Sequence, residues 1–201
     1  MQRLGLTGGI ASGKTAVAGM LREMGFAVLD ADSLAHKLIE PGQPAYDEVA
    51  REFGRSIIDS DKTVNRAKLA AIVFADPAKL ARLNAILHPR VESVIHQRFA
   101  EWSQNGTRDA AFVEAALLIE AGYHKNLDGL VITWCRPEQQ LERLRARGFS
   151  EEDARSRIAA QLPAADKLRY ATEKIDCSRS LEETRKQVEA LAARLSHKRT
   201  L

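Results

Sequence analysis

Near the start of the chain, the apolar stretch RLGLT runs directly into the glycine-rich segment GGIASGKT. Residues 8–15 match the pattern G-x-x-x-x-G-K-[ST], which joins a strand to a helix in phosphate-binding loops. Glycines let the backbone curl so that successive N–H groups surround a phosphate, and a helix beginning near Lys14 adds the positive end of its dipole. We expect Lys14, on a solvated loop, to contact outer phosphates and the Thr15 hydroxyl to be a ligand for Mg²⁺. A plain glycine-rich turn is the alternative, but the strand–loop–helix context favours phosphate binding.

The rest of the chain alternates short apolar runs with longer segments of helical periodicity. Alternation of this kind predicts parallel strands joined by right-handed helical crossovers, and therefore a three-layer α/β core around a five-stranded parallel sheet. The connection between the second and third strands is far longer than the others and entirely helical in pattern, so we expect it to be an insertion. Strands are predicted at about 2–7, 26–31, 110–115, 129–135 and 173–177, and core helices at about 14–24, 138–147 and 181–196.

The composition of the chain limits its size class, its cellular compartment and its partners. The chain has 201 residues, which suffice for one well-buried core with an inserted subdomain. Its two cysteines, Cys135 and Cys177, are too few for a disulfide scaffold, and no apolar run reaches the length of a membrane span. The net charge of +3 suits a protein that handles anionic small molecules and is too small to indicate nucleic acid. We therefore expect a cytoplasmic protein with no membrane or nucleic-acid partner.

The phosphate loop by itself leaves the class of protein open. A GTPase should carry an N/T-K-x-D segment for reading guanine, and the sequence contains none. A motor ATPase should carry an apolar strand that ends in Asp, whereas the third predicted strand offers Glu114 and Glu120 instead. A small-molecule kinase needs a carboxylate near the acceptor hydroxyl, an acceptor-binding insertion and mobile arginines beside its phosphate loop. The sequence has a candidate for each of these parts.

Two aspartates, Asp30 and Asp32, follow the second predicted strand. We expect that strand to lie next to the first, with its carboxyl end at the sheet edge where ligands bind. Alternation along an extended segment would put both carboxylates on one side, where one could accept a hydroxyl proton and the other could hold Mg²⁺ or orient the acceptor. Alternatively, Asp32 only caps the helix SLAHKL. The spacing alone does not decide between these roles.

Several longer segments carry a family resemblance that extends from residue 3 to about 190. LTGGIASGKTAVAGMLREMGFAVLDADSLAHKL, EPGQPAYDEVAREFG and NRAKLAAIVFADPAKLARLNAILHPRV are similar to segments of dephospho-coenzyme A kinases, as are EAALLIEAGY, RPEQQLERLRARG, AAQLPAADKLRYA and IDCS. The DAD-x-x-A-H and L-H-P segments are far more specific than the phosphate loop. The resemblance implies transfer of the γ-phosphoryl group of ATP to the 3′-hydroxyl of dephospho-CoA, with Mg²⁺, and it favours the functional role of Asp32.

The resemblance also implies a P-loop kinase type of fold with three parts. Residues 1–32, 106–135 and 166–201 would form the nucleotide-binding core, 33–105 a helical insertion that binds dephospho-CoA, and 136–165 a helical lid. The expected catalytic residues are Asp32, Lys14 and Arg143, and the expected substrate-binding residues are Asp30, Asp32 and His88. The ATP-binding residues would be Gly8, Gly9, Ala11, Ser12, Gly13, Lys14, Thr15 and Ala16, with Thr15 also the metal ligand.

Other residues have competing interpretations. Arg143 and Arg147 are spaced to share a helix face. Together with Arg136, they either form a solvated surface or, as the resemblance implies, belong to a lid that brings Arg143 to the transferring phosphoryl group. His88 is either a packed side chain or part of the acceptor pocket, and Pro89 is expected to begin a helix.

The sequence also departs from the family pattern. Ala116 replaces a usual proline, Ala16 a frequent threonine, and Thr172 and Cys177 an Asp and an Asn near the adenine end of ATP. The alternatives to the main hypothesis are a nucleoside or nucleotide kinase of the same fold and an inactive nucleotide-binding module.

Overall fold

The computed structural model describes residues 1–106 and 109–196 of the chain. Residues 107–108 and 197–201, which belong to the predicted core segments 106–135 and 166–201, lie outside the described residues. The strands are β1 (Gln2–Gly8), β2 (Ala27–Asp30), β3 (Ala110–Glu114), β4 (Gly129–Trp134) and β5 (Glu173–Asp176). The helices are α1 (Lys14–Glu23), α2 (Ala31–Lys37), α3 (Tyr46–Phe53), α4 (Arg66–Phe74), α5 (Pro77–Gln104), α6 (Pro137–Ala146), α7 (Glu151–Ala159), α8 (Ala164–Lys167) and α9 (Leu181–Ser196).

The five strands form one parallel sheet in the order β2-β3-β1-β4-β5. The predicted strands and the parallel three-layer α/β class are confirmed, but the placement of β2 directly beside β1 is wrong because β3 lies between them. Burial explains the order: every residue of β3 is buried, as an inner strand requires, whereas β2 is half-buried along its length, as an edge strand allows. The long connection after β2 lets the chain return to either side of that strand.

One face of the sheet packs against α1 and α9. Leu4 and Leu6 of β1 point toward this face and join a buried cluster with Val17 and Leu21 of α1. Gly5, between the two leucines, faces the other side, where an added Cβ would lie 2.5 Å from the Leu130 side chain. Helix α1 ends at Glu23, and Gly25 follows it with a positive φ of 83°, which is the helix stop that the sequence predicts.

The chain folds as two compact units, one formed by Met1–Asp30 together with Phe99–Leu201, and the other by Ala31–Arg98. The first unit holds the whole sheet. The second holds α2, α3, α4 and most of α5, together with one isolated antiparallel bridge between Ile58 and Val64 that the helical pattern did not predict. Within the described ranges, no helix is long and apolar enough to cross a membrane.

Within the second unit, side chains fix the helices. Asn65 caps α4 by accepting a hydrogen bond from the Lys68 N–H at 3.0 Å. Pro89 lies inside α5, so its predicted role as a helix start is wrong. A proline removes one helical hydrogen bond, and in the same turn the Arg90 guanidinium donates to the Ile86 carbonyl at 2.6 Å and pairs with Glu48 at 2.6 Å. These contacts tie α5 to α3.

Candidate active site

The glycine-rich segment forms the connection from β1 to α1. Gly8 is the last residue of β1, and α1 begins at Lys14 with Gly13 as its N-terminal cap. Ala11 and Gly13 have positive φ angles of 58° and 101°, so the backbone turns sharply here, as a loop that surrounds a phosphate must. The predicted strand–loop–helix arrangement is therefore present.

The glycines of the loop are also required by close packing. A Cβ on Gly8 would overlap the Thr133 and Ser12 side chains, and one on Gly13 would lie 2.8 Å from the Cys177 sulfur. Ser12 is buried, and its hydroxyl is hydrogen-bonded to the Thr133 hydroxyl at 2.7 Å. The Ser12 side chain thus fixes the loop onto β4, and the Ser12 N–H donates to the Gly9 carbonyl at 3.0 Å within the loop.

Lys14 does not lie in a solvated loop as the sequence suggests. It is the first residue of α1, and its ammonium is 2.8 Å from Glu114, the last residue of β3. Arg22 approaches the second oxygen of the same carboxylate at 3.2 Å. Glu114 has 5% of its side chain exposed and Lys14 16%, so this is a largely desolvated ion pair. The neighbouring Thr15, at the start of α1, is exposed.

Two glutamines of the segment predicted as a lid form hydrogen bonds with the backbone of the loop. Gln161 accepts a hydrogen bond from the Ile10 N–H at 2.8 Å, and the Gln140 amide donates to the Ile10 carbonyl at 2.7 Å. A Cβ on Gly9 would lie 2.6 Å from the Gln140 amide nitrogen, so Gly9 makes room for this contact. The sequence did not reveal either glutamine, because nothing local marks a glutamine that binds a distant peptide group.

Arg143 also contacts the loop. Its guanidinium donates to the Ala11 carbonyl at 3.0 Å and to the Cys177 carbonyl at 2.7 Å. Arg147, the C-terminal cap residue that follows α6, lines the same cavity of about 260 Å³ and confirms that the two arginines share a face. Arg136 is exposed at the start of α6. The other residues that line this cavity are Ala11, Gly13, Ala16, Cys177, Arg179, Leu181 and Thr184.

Both cysteines are buried beside the loop. Cys177 follows β5 against Gly13, and the Cys135 thiol follows β4 at 3.8 Å from the Ala11 carbonyl. Burial raises the pKa of the Cys177 thiol to about 11 and also raises the pKa of Cys135. These thiols therefore stay protonated at neutral pH and act as packing groups.

The two aspartates after β2 lie in different elements. Asp30 is the last residue of β2, in register with Glu114 of β3. Helix α2 begins at Ala31, so Asp32 is an exposed residue of the first helical turn. Asp32 is thus neither on an extended segment with Asp30 nor the residue that caps the helix, and both of these predicted placements are wrong. A carboxylate in a first turn is still favoured by the helix dipole.

His88 lies within α5 and is partly buried. Burial lowers the pKa of His88, and the nearby Glu92 carboxylate opposes that shift in part. Asp32 and His88 both belong to the unit Ala31–Arg98, whereas Lys14, Thr15, Glu114 and Arg143 belong to the other unit. The described residues contain no group of three or more His, Cys, Asp or Glu side chains that could hold a metal ion.

A parallel sheet whose first strand leads through a glycine-rich loop into a helix that begins with lysine defines a nucleotide-binding protein of the P-loop kinase type. A family model described as dephospho-CoA kinase matches residues 2–183, and the chain belongs to this family. A dephospho-CoA kinase of Symbiobacterium thermophilum is 44% identical over 191 residues, which are 94% of this chain and 80% of that protein. One of Aquifex aeolicus is 42% identical over 197 residues, 98% of each chain. The crystal structure of TT1252 from Thermus thermophilus has a TM-score of 0.84 and 32% identity, and covers 96% of this chain and 97% of its own.

Proposed function

We propose that this member of the dephospho-CoA kinase family transfers the γ-phosphoryl group of ATP to the 3′-hydroxyl of dephospho-CoA, the last step of coenzyme A biosynthesis. The observation that carries the proposal is the phosphate loop, with Lys14 at the start of α1, in a chain that the family model matches over residues 2–183. The family membership argues against the nucleoside kinase and the inactive binding module as alternatives.

ATP would bind along the loop, with its outer phosphates at Lys14 and the loop N–H groups. Mg²⁺ prefers oxygen ligands and usually keeps several waters and substrate phosphates, so it does not need a cage of protein carboxylates. The exposed Thr15 hydroxyl fits this donor set, and Thr15 would hold the ion. When bound, Mg²⁺ would neutralise charge on the outer phosphates.

The acceptor side of the proposal rests on the insertion, residues 33–105. Asp32 would accept or orient the proton of the 3′-hydroxyl, and Asp30 and His88 would contact dephospho-CoA. The exposure of Asp32 supports its access to an acceptor. We propose that residues 136–165 form the lid and that Arg143 stabilises charge on the transferring group, since its guanidinium already lies at the phosphate loop.

We further propose that the protein works in the cytoplasm on small molecules, without a membrane or nucleic-acid partner. A reducing compartment suits its two free, buried cysteines. The mild net charge of +3 suits anionic substrates such as ATP and dephospho-CoA.

A coupled assay for ADP release tests the function. The purified chain, with Mg²⁺ and ATP, is given dephospho-CoA or a panel of nucleosides and nucleotides. We expect turnover that depends on dephospho-CoA, with the product identified as coenzyme A by mass. Turnover only with a nucleoside would instead support the related kinase, and no turnover with any acceptor would support the binding module.

A further inference from the structure

Glu114 is placed where it can control the position of Lys14. It is the last residue of β3, next to β1 in the sheet and in register with Leu6, just before the phosphate loop begins. A carboxylate with only 5% of its side chain exposed has to be neutralised by cations or hydrogen bonds, because losing its hydration is costly. Lys14 at 2.8 Å and Arg22 at 3.2 Å supply this neutralisation, one on each oxygen.

The neighbourhood makes the pairing stronger than a surface ion pair. Asp30 is the register partner of Glu114 across β2 and β3, and two like charges side by side in a sheet are unfavourable. A cation beside the ends of β2 and β3 relieves this repulsion. A lysine side chain has many rotamers, and pairing with a fixed, buried carboxylate restricts them. The Lys14 ammonium has three N–H donors, and one bond to Glu114 leaves two that can face an outer phosphate.

We propose that Glu114 is a positioning residue, which holds the Lys14 ammonium at the end of the phosphate loop and acts on phosphoryl transfer only through Lys14. Arg22 is the second counter-charge, which keeps the carboxylate neutralised while Lys14 contacts phosphate. This inference rests on the proposed function for its assay. It goes beyond that function, because it assigns a role to the carboxylate at the end of β3.

A double-mutant cycle tests the proposal. Glu114→Gln keeps the shape of the side chain and removes its charge. We expect kcat to fall about tenfold, which lies within the range of conformational free energy that restricting one lysine side chain costs. The KM for ATP should change less than about threefold. In a Lys14→Ala background the same substitution should change kcat less than about twofold, because the residue it positions is gone. A wild-type kcat in Glu114→Gln would overturn the proposal. So would a tenfold loss that recurs in the Lys14→Ala background.

Two further variants separate positioning from stability. Glu173→Gln is the matched control, since Glu173 forms an ion pair of 2.8 Å with Arg194 at the other end of the sheet, and it should leave kcat unchanged. Glu114→Asp retains the charge but shortens the side chain, and kcat should lie between those of the wild type and Glu114→Gln. If Glu114→Gln does not fold, Glu114→Asp takes its place in the cycle. A Glu114→Asp variant with wild-type kcat would then overturn the proposal.

The assay also distinguishes failure of the proposed function from failure of the proposed role of Glu114. If the wild type shows no turnover with dephospho-CoA, the acceptor assignment fails, and the same cycle is measured on the hydrolysis of ATP by water. Non-additivity between Glu114→Gln and Lys14→Ala in that reaction would still support the positioning role, and additivity would overturn it.

Discussion

At the residue scale, Lys14 has two anionic partners, one expected from the sequence and one observed in the structure. The phosphate-loop pattern assigns it to a bound phosphate, and the structure pairs it with the Glu114 carboxylate at 2.8 Å. A substitution at Lys14 therefore removes a cation from the proposed reaction. Of the two cations that pair with the buried Glu114 carboxylate, it leaves Arg22.

Lys14→Ala should lower kcat about 10²-fold or more, because charge stabilisation lost in such sites costs several kcal/mol. The lost charged hydrogen bond should also cost about 2 kcal/mol of stability, which corresponds to a melting temperature lower by roughly 4–8 °C for a chain of this size. Steady-state kinetics and a thermal melt measure the two effects. Near-normal turnover in a folded variant would contradict the assignment of the loop.

Asp32→Asn should lower kcat by about 10²–10⁴-fold, the usual contribution of a general base, with ATP affinity nearly unchanged. The loose transition state of phosphoryl transfer needs little base strength, so a loss at the low end would indicate that Asp32 mainly orients the hydroxyl. Asp47→Asn is the matched control, because Asp47 is also an exposed carboxylate in a first helical turn. Equal kcat in both variants would reduce Asp32 to a group that stabilises α2.

Cys177 should resist thiol reagents in the native protein. A pKa raised from 9.0 to about 11 lowers the reactive thiolate fraction about 100-fold at neutral pH, and burial against Gly13 slows the reaction further. Because the folded-state pKa is raised, this thiol adds stability below about pH 9 that is lost as the pH rises toward 11. Labelling with Ellman's reagent, before and after unfolding and with Cys135→Ser as a control, measures the difference. Rapid native labelling would contradict the burial.

At the scale of elements, α6 is fastened to the phosphate loop at several points. Gln140 binds the Ile10 carbonyl, and Arg143 binds the Ala11 carbonyl as well as the Cys177 carbonyl after β5. The helix that the sequence assigns to a lid is thus tied to the backbone that it would cover. Movement of a lid here would have to exchange these hydrogen bonds for others.

Arg143→Ala should lower kcat more than it weakens ATP binding, because its proposed charge interaction is strongest in the transition state. Loss of its two backbone contacts should also loosen the loop, so we expect a weaker but measurable effect on ATP affinity. Arg147→Ala, which removes an exposed arginine on the same face, provides the comparison. An unchanged kcat in Arg143→Ala, with a loss in Arg147→Ala, would transfer the role to Arg147.

At the scale of the whole molecule, the phosphate loop and the sheet belong to one compact unit, and Asp32, His88 and most of the insertion belong to the other. Binding of ATP at the loop should stabilise the first unit, because a ligand that binds only the folded form adds free energy by mass action.

Mg²⁺-ATP at about 100 times its dissociation constant should add about 2.7 kcal/mol, which corresponds to a rise in melting temperature of roughly 5–10 °C. Adenosine, which lacks phosphates, should produce a much smaller shift, and Lys14→Ala should reduce the shift with ATP. Differential scanning fluorimetry of both proteins measures these values. Equal shifts with adenosine and ATP would contradict phosphate binding by the loop.

Local patterns in the sequence determine much of this protein. The pattern G-x-x-x-x-G-K-T, the apolar runs and the helical periodicity predict the phosphate loop, all five strands and the core helices, because each depends on neighbours within a few residues. The longer DAD-x-x-A-H and L-H-P segments indicate the dephospho-CoA kinase family. The match of the family model over residues 2–183 and the similar kinases confirm this membership.

The tertiary structure decides what depends on residues far apart in the chain. Strand order puts β3 beside β1, and only that placement brings Glu114 to Lys14, from 100 residues away. The start of α2 at Ala31 places Asp32 in a helical turn, and the continuation of α5 through Pro89 overrides a strong local helix-start signal. Packing of whole elements can outweigh even such a local preference, because burial of a whole element contributes more free energy than the conformation of one residue.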